Sequence, residues 1–116
     1  MTISPTQRSL ALLRKDGWTV DVTERWIPGM NVRKDFLGFV DLIALRGGET
    51  LAVQATSDNG GNMAARVAKI KASPNLPIVL AAGWAVCVLG WRKKANRWIV
   101  RRVNVEAECI DTTGES

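Results

Sequence analysis

An α/β domain, with a mixed central sheet, helices packed on its faces and a hairpin at its C-terminal end, is the fold class this chain predicts. Three observations carry that reading. The periodicity switches in the order helix, three strands, helix, a possible short helix, two strands. Two strand segments, 39–45 and 50–56, are apolar almost throughout, as strands covered on both faces are. Glycine or proline punctuates most segment ends. At 116 residues the chain reads as a single domain over 1–116, with room for one core.

Ser4-Pro5-Thr6-Gln7 opens the first helix: Ser4 suits the N-cap, Pro5 the first turn, and Gln7 the third position of a capping box. Leu10 and Leu13 give it an apolar side, and Gly17 can end it in a left-handed conformation. Residues 18–26 alternate apolar and polar side chains, which predicts one half-buried strand, and 28–31 read as a loop. Arg46-Gly47-Gly48-Glu49 joins the two apolar strands as a hairpin. Residues 58–62 are a flexible loop, with Asn62 a candidate N-cap for an amphipathic helix over 63–72 on which Met63, Val67 and Ile70 share a face. Ser73-Pro74 stops that helix. Residues 75–83 fit a short helix opened near Pro77 better than a strand. A strand over 84–91, a basic turn over 92–97 and a partner strand over 98–105 complete the order, and the polar tail after 106 is expected to fray.

Composition excludes several function classes. The chain has no histidine, so Ser-His and Cys-His catalysis and histidine-ligated metals are ruled out, and its two cysteines make neither a disulfide framework nor a zinc site. No apolar run is long enough to cross a bilayer, and the first residues lack the pattern of a signal peptide, so no membrane association and a cytoplasmic location are expected. Charge is unevenly placed. Residues 1–58 balance 7 basic against 7 acidic side chains, whereas 59–105 carry 9 basic and no acidic ones, and 106–116 carry 4 acidic ones. A folded surface drawn from that middle stretch has a positive field that favours a polyanion such as nucleic acid.

Chemistry centres on Asp41. An ionised aspartate within Phe39-Val40-Asp41-Leu42-Ile43-Ala44 needs an arginine, another cation or a metal to offset its desolvation. A structural salt bridge to Arg33 or Lys34 would meet that need, and so would a metal site. With the hairpin turning at Gly47-Gly48, Asp41 and Gln54 fall at the same level on adjacent strands, and Glu24 on the strand before could add a third oxygen. Oxygen-only ligation suits Mg²⁺ or Mn²⁺. Asp35 reads as a surface or turn residue held in reserve as a ligand. Trp84, Trp91 and Trp98 read as packing residues, with Trp91 the first choice if one of them stacks on a base.

The stretch Arg33-Lys34-Asp35-Phe36-Leu37-Gly38-Phe39-Val40-Asp41-Leu42-Ile43-Ala44, followed by Leu51-Ala52-Val53-Gln54-Ala55-Thr56-Ser57, resembles the core of the PD-(D/E)XK nucleases, which include Holliday junction resolvases and many restriction endonucleases. That resemblance implies a restriction-endonuclease-like αβββαβ core. It implies Asp41 as the metal-binding aspartate, Glu24 as the early glutamate, and Gln54 in the place of the acidic residue of the triplet, as in the Mrr-like branch. Thr56 stands where the family's lysine falls, and Lys69 (or Lys71) on the following helix would take over its task of orienting or deprotonating the water.

The function expected is a metal-dependent DNA endonuclease, with possible action on branched DNA, in which Asp41, Gln54 and Glu24 hold Mg²⁺ or Mn²⁺ and Lys69 assists the water. Arg66, Lys69, Lys71, Arg92, Lys93, Lys94 and Arg97 would contact DNA, and a homodimer would span a duplex or junction. The alternatives are a catalytically degenerate DNA-binding protein of the same fold and a small protein-interaction or accessory module.

Overall fold

The computed structural model describes residues 3–106 except 24, 28, 30 and 31, together with the backbone but not the side chains of 25–27 and 32–34. Helix α1 spans Pro5–Lys15, with Ser4 Oγ accepting the Gln7 N–H at 3.1 Å. It closes in a Schellman motif: Gly17 has φ +91°, its N–H donates to Arg14 O, and the Trp18 N–H donates to Leu13 O. The same device recurs at Gly83-Trp84, where it ends the short helix α3, Leu76–Ala81, which carries Pro77 in its first turn.

Strands β1 (Thr19–Val22), β4 (Leu42–Arg46), β5 (Glu49–Ser57), β6 (Ala85–Lys94) and β7 (Arg97–Asn104) form one sheet in the order β1-β4-β5-β6-β7. β4 pairs antiparallel with β1 and with β5, β5 and β6 are parallel, and β7 returns antiparallel to β6. The parallel crossover contains α2 (Asn62–Lys71) and α3. Alternation along β5 divides the core into two: Leu51 and Val53 pack with Leu13 of α1, whereas Ala52 packs with Met63 and Ile70 of α2. The sheet is therefore covered on both faces, which explains why neither the β4 nor the β5 segment alternates cleanly between apolar and polar residues.

Four expectations change. The alternation over 18–26 is not one strand: β1 ends at Val22, and β2 (Arg25–Ile27) pairs with β3 (Val32–Lys34) in a separate two-stranded ribbon. Thr23 marks the end of β1, its N–H donating to Asp41 O at 2.8 Å and its hydroxyl to Val40 O at 2.8 Å. The strand expected from 39 begins at Leu42. Asn62 is not a cap but the first residue of α2, donating from Nδ2 to Ser57 Oγ at 2.8 Å. The turn expected over 92–97 is narrower: β6 runs to Lys94 and β7 starts at Arg97, joined by Ala95-Asn96 alone at φ 50° and 63°, the positive values a two-residue I′ turn demands.

Two core residues yield tests of the packing. Gly90 lies beneath α2, and a Cβ there would come within 2.7 Å of Met63 Cγ, a side chain only 2% exposed. Gly90→Val is expected to destabilise the fold by about 1–3 kcal/mol through overpacking, read as a lower urea midpoint; an unshifted midpoint would mean that Met63 moves aside freely. Cys87 is fully buried, which pushes its thiol up to about 11. The unfolded chain releases that proton near the ordinary thiol value while the native state retains it. Stability should therefore fall as pH rises from about 9 towards 11. Urea melts of Cys87→Ala should show a shallower decline over that window, and equal slopes would refute the linkage.

Candidate metal and phosphate site

Asp41 sits at the bend that leads into β4 and is 4% exposed. Its N–H donates to Val53 O at 2.9 Å, and its Oδ2 accepts the Ala55 N–H at 2.9 Å. The carboxylate thus continues the β4–β5 ladder where the β4 backbone has turned away. One residue before the Leu42↔Val53 pair, the register sets Asp41 opposite Gln54, as the sequence implied.

On its other side, Asp41 faces Asp35. Residues 36–40 form a tight loop closed by the Phe36 N–H to Val40 O at 3.1 Å and the Val40 N–H to Phe36 O at 2.9 Å, with Leu37 and Gly38 both at positive φ. Asn75 Nδ2 donates to Leu37 O at 3.0 Å, which ties the loop to the start of α3, and Phe36 stacks on Trp84 at 6.4 Å. The Phe36↔Val40 bridge puts Asp35 across from Asp41, one step further out. Asp35, Asp41 and Gln54 are therefore consecutive in one row across three chain segments.

These residues line a cleft of about 500 Å³ together with Thr56, with Ser4, Pro5 and Thr6 from the start of α1, and with Arg66 and Lys69 from α2. Gln54 is 2% exposed, and its Oε1 has no hydrogen-bond partner. A buried carbonyl left unsatisfied costs about 1–3 kcal/mol, so its retention beside two carboxylates fits a hard cation. The donor set is oxygen only, which fits Mg²⁺ or Mn²⁺ and not a soft metal. Among the described residues no three His, Cys, Asp or Glu side chains gather in one place, so a third oxygen in this row comes from the Gln54 amide and not from an acid. Arg66 and Lys69 bring positive charge to the same cleft, and the N-terminus of α1 contributes its dipole, a combination suited to phosphate.

The expected residues divide as follows. Asp41, Gln54, Lys69 and Arg66 meet in the cleft. Glu24 lies outside the described residues, as do the side chains of Arg33 and Lys34. Lys71 is exposed at the last turn of α2 and takes no part in the cleft wall. Arg92, Lys93, Lys94 and Arg97 are exposed on the β6–β7 hairpin, where Lys94 faces Arg97 directly. Like charges directly opposite on a sheet are destabilising, and an anion between them removes that cost. Arg101 is engaged elsewhere: its Nε and Nη2 donate to Asp58 at 3.1 and 3.0 Å, and the guanidinium holds the Asp58 carboxyl below its usual value.

Sequence reasoning overlooked two contributors. Asp35 was held in reserve, although the glycine at 38 signals the turn that brings it back to Asp41. The start of α1 was legible as a helix start, but nothing local says which end of that helix meets the site. Trp91 packs as expected: it is buried, and its indole N–H donates to Ser9 Oγ at 2.9 Å. A larger cavity of about 710 Å³ runs along α1 past Ile3, Ala11, Leu12 and Trp91, and it has no carboxylate in its wall. No helix among the described residues is long and apolar enough to cross a membrane. Comparison with known proteins finds no matching family model, no matching curated protein and no matching solved structure.

Proposed function

We propose that this protein is a metal-dependent DNA endonuclease with a restriction-endonuclease-like core, acting through the cleft around Asp41. The observation that carries the reading is the buried, unpartnered Oε1 of Gln54 in a row with Asp41 and Asp35, facing Lys69 and Arg66 across the cleft. The order helix, three-strand antiparallel meander, helical crossover and parallel strand supports the same reading, since it is similar to the αβββαβ order of the PD-(D/E)XK nucleases.

Asp41, Asp35 and the Gln54 carbonyl would hold Mg²⁺ or Mn²⁺. A bound ion of that kind supplies polarisation of the phosphate and a lowered pKa for water. The chain's own residues do the remainder. Arg66 binds a non-bridging phosphate oxygen, and the N-terminus of α1 offsets part of the phosphate charge. Lys69 orients the attacking water and stabilises the charge that develops on the phosphate, work that Thr56, 6% exposed and uncharged, cannot do. The basic hairpin extends the contact surface along the DNA backbone, so affinity should fall steeply with salt. A second copy of the chain would extend that surface along a duplex or across a junction.

The test is direct. The protein is incubated with branched and linear DNA in Mn²⁺ or in chelator, and cleavage and gel mobility are followed at several salt concentrations. Mn²⁺-dependent cleavage is the expected result. Salt-sensitive binding without cleavage would instead favour a degenerate DNA-binding protein. Neither binding nor cleavage would remove the nucleic-acid reading altogether and leave the interaction module.

A further inference from the structure

Next to the cleft, and sharing Ser4, Pro5 and Ser57 with it, is a second recess of about 540 Å³. Its wall is mainly apolar, from Ile3, Pro5, Trp91 and Trp98, and its charged residues are Arg8, Arg92 and Lys93, with no carboxylate among them. Trp98 is 44% exposed, on an edge strand, opposite Lys93. Packing into a core does not account for that exposure. The Arg8 guanidinium lies over the indole, 3.8 Å from the ring centroid, and Arg8 Nε has no hydrogen-bond acceptor. Ring and guanidinium thus form two layers of a stack, with Lys93 beside them on the same face of the sheet.

A flat, apolar, electron-rich body with a polyanionic tether fits such a recess. Unpaired nucleobases stack on tryptophan faces and on arginine planes, whereas a paired base presents neither face. We propose that this recess takes an unpaired base adjoining the phosphate held in the Asp41 cleft, so that the preferred DNA carries a single-stranded arm next to a duplex. This rests on the nuclease reading of that cleft. Trp98 supplies the stacking surface, Arg8 holds the indole in place, and Lys93, on the same face as Trp98, follows the arm's phosphates. The shared rim residues, at the start of α1 and the end of β5, set the two recesses side by side, so a strand leaving the cleft round the end of β5 meets the stack.

The experiment uses the full chain in chelator, where no cleavage occurs. Binding to a blunt duplex is compared with binding to the same duplex bearing an unpaired arm, labelled with 2-aminopurine at the first unpaired position. The arm should tighten binding by about 10- to 100-fold, and 2-aminopurine emission should be quenched. Trp98→Ala should lose the preference and the quenching while binding blunt duplex as the wild type does, and Trp98→Phe should keep most of both. Equal binding of the two DNAs, or an equal loss on both with Trp98→Ala, overturns the stacking site and leaves the nuclease reading standing. Absence of salt-sensitive binding to either DNA overturns both.

Discussion

Asp41→Asn is expected to lower Mn²⁺-dependent DNA cleavage by about 10³-fold or more, equivalent to roughly 4 kcal/mol of transition-state stabilisation. The substitution separates chemistry from architecture because of one hydrogen bond. Asp41 Oδ2 accepts the Ala55 N–H, and an asparagine carbonyl can accept it equally. Stability should therefore stay close to that of the wild type in Asp41→Asn. Asp41→Ala, which leaves the Ala55 N–H without its acceptor, should lose both cleavage and about 1–3 kcal/mol of stability. If Asp41 serves only to continue the β4–β5 ladder, the asparagine variant will cleave as well as the wild type, and the metal-site reading fails. Measuring cleavage rates beside urea melts of both variants decides between the two.

Gln54→Glu should act in the opposite direction. A third carboxylate beside Asp35 and Asp41 adds one full charge to the ligand set, and the metal concentration required for half-maximal activity should fall by about 10- to 100-fold. The gain carries a penalty when no ion is bound. A glutamate at a position 2% exposed, next to two other acids, is an uncompensated buried charge that costs about 3–5 kcal/mol. The variant should melt well below the wild type in chelator and recover on addition of Mn²⁺, whereas the wild type should respond far less. An unchanged metal requirement together with metal-independent melting would show that residue 54 does not face the ion. A lower metal requirement would instead give the native glutamine a physical rationale, an oxygen offered to a cation without added repulsion between Asp35 and Asp41.

The fold was legible wherever local chemistry leaves few options. Ser4, Pro5 and Gln7 at one end of α1 and Gly17 at the other are enough to bracket a helix, and Gly47-Gly48 between two apolar runs fixes a hairpin of known register. That register is why the Asp41–Gln54 pairing could be read from spacing alone. The division of 18–26 into β1 and β2 was not legible, because a period of two states which side chains share a face and not which strand lies alongside. The turn within 92–97 was legible but its narrowing to Ala95-Asn96 was not, since only Asn96 is of a type that readily accepts positive φ. At the site, Asp35 needed the Leu37-Gly38 reversal to come back to Asp41, and Trp98 differs from Trp91 only in lying on an uncovered edge strand. Such distinctions belong to tertiary packing.

The β2–β3 ribbon is not hydrogen-bonded into the main sheet, yet it departs at Thr23 and returns at Asp35, both beside Asp41. Its two attachment points are set by contacts that do not depend on what lies between them. A change of length between those two points would therefore leave the register of Asp41 against β5 as it is.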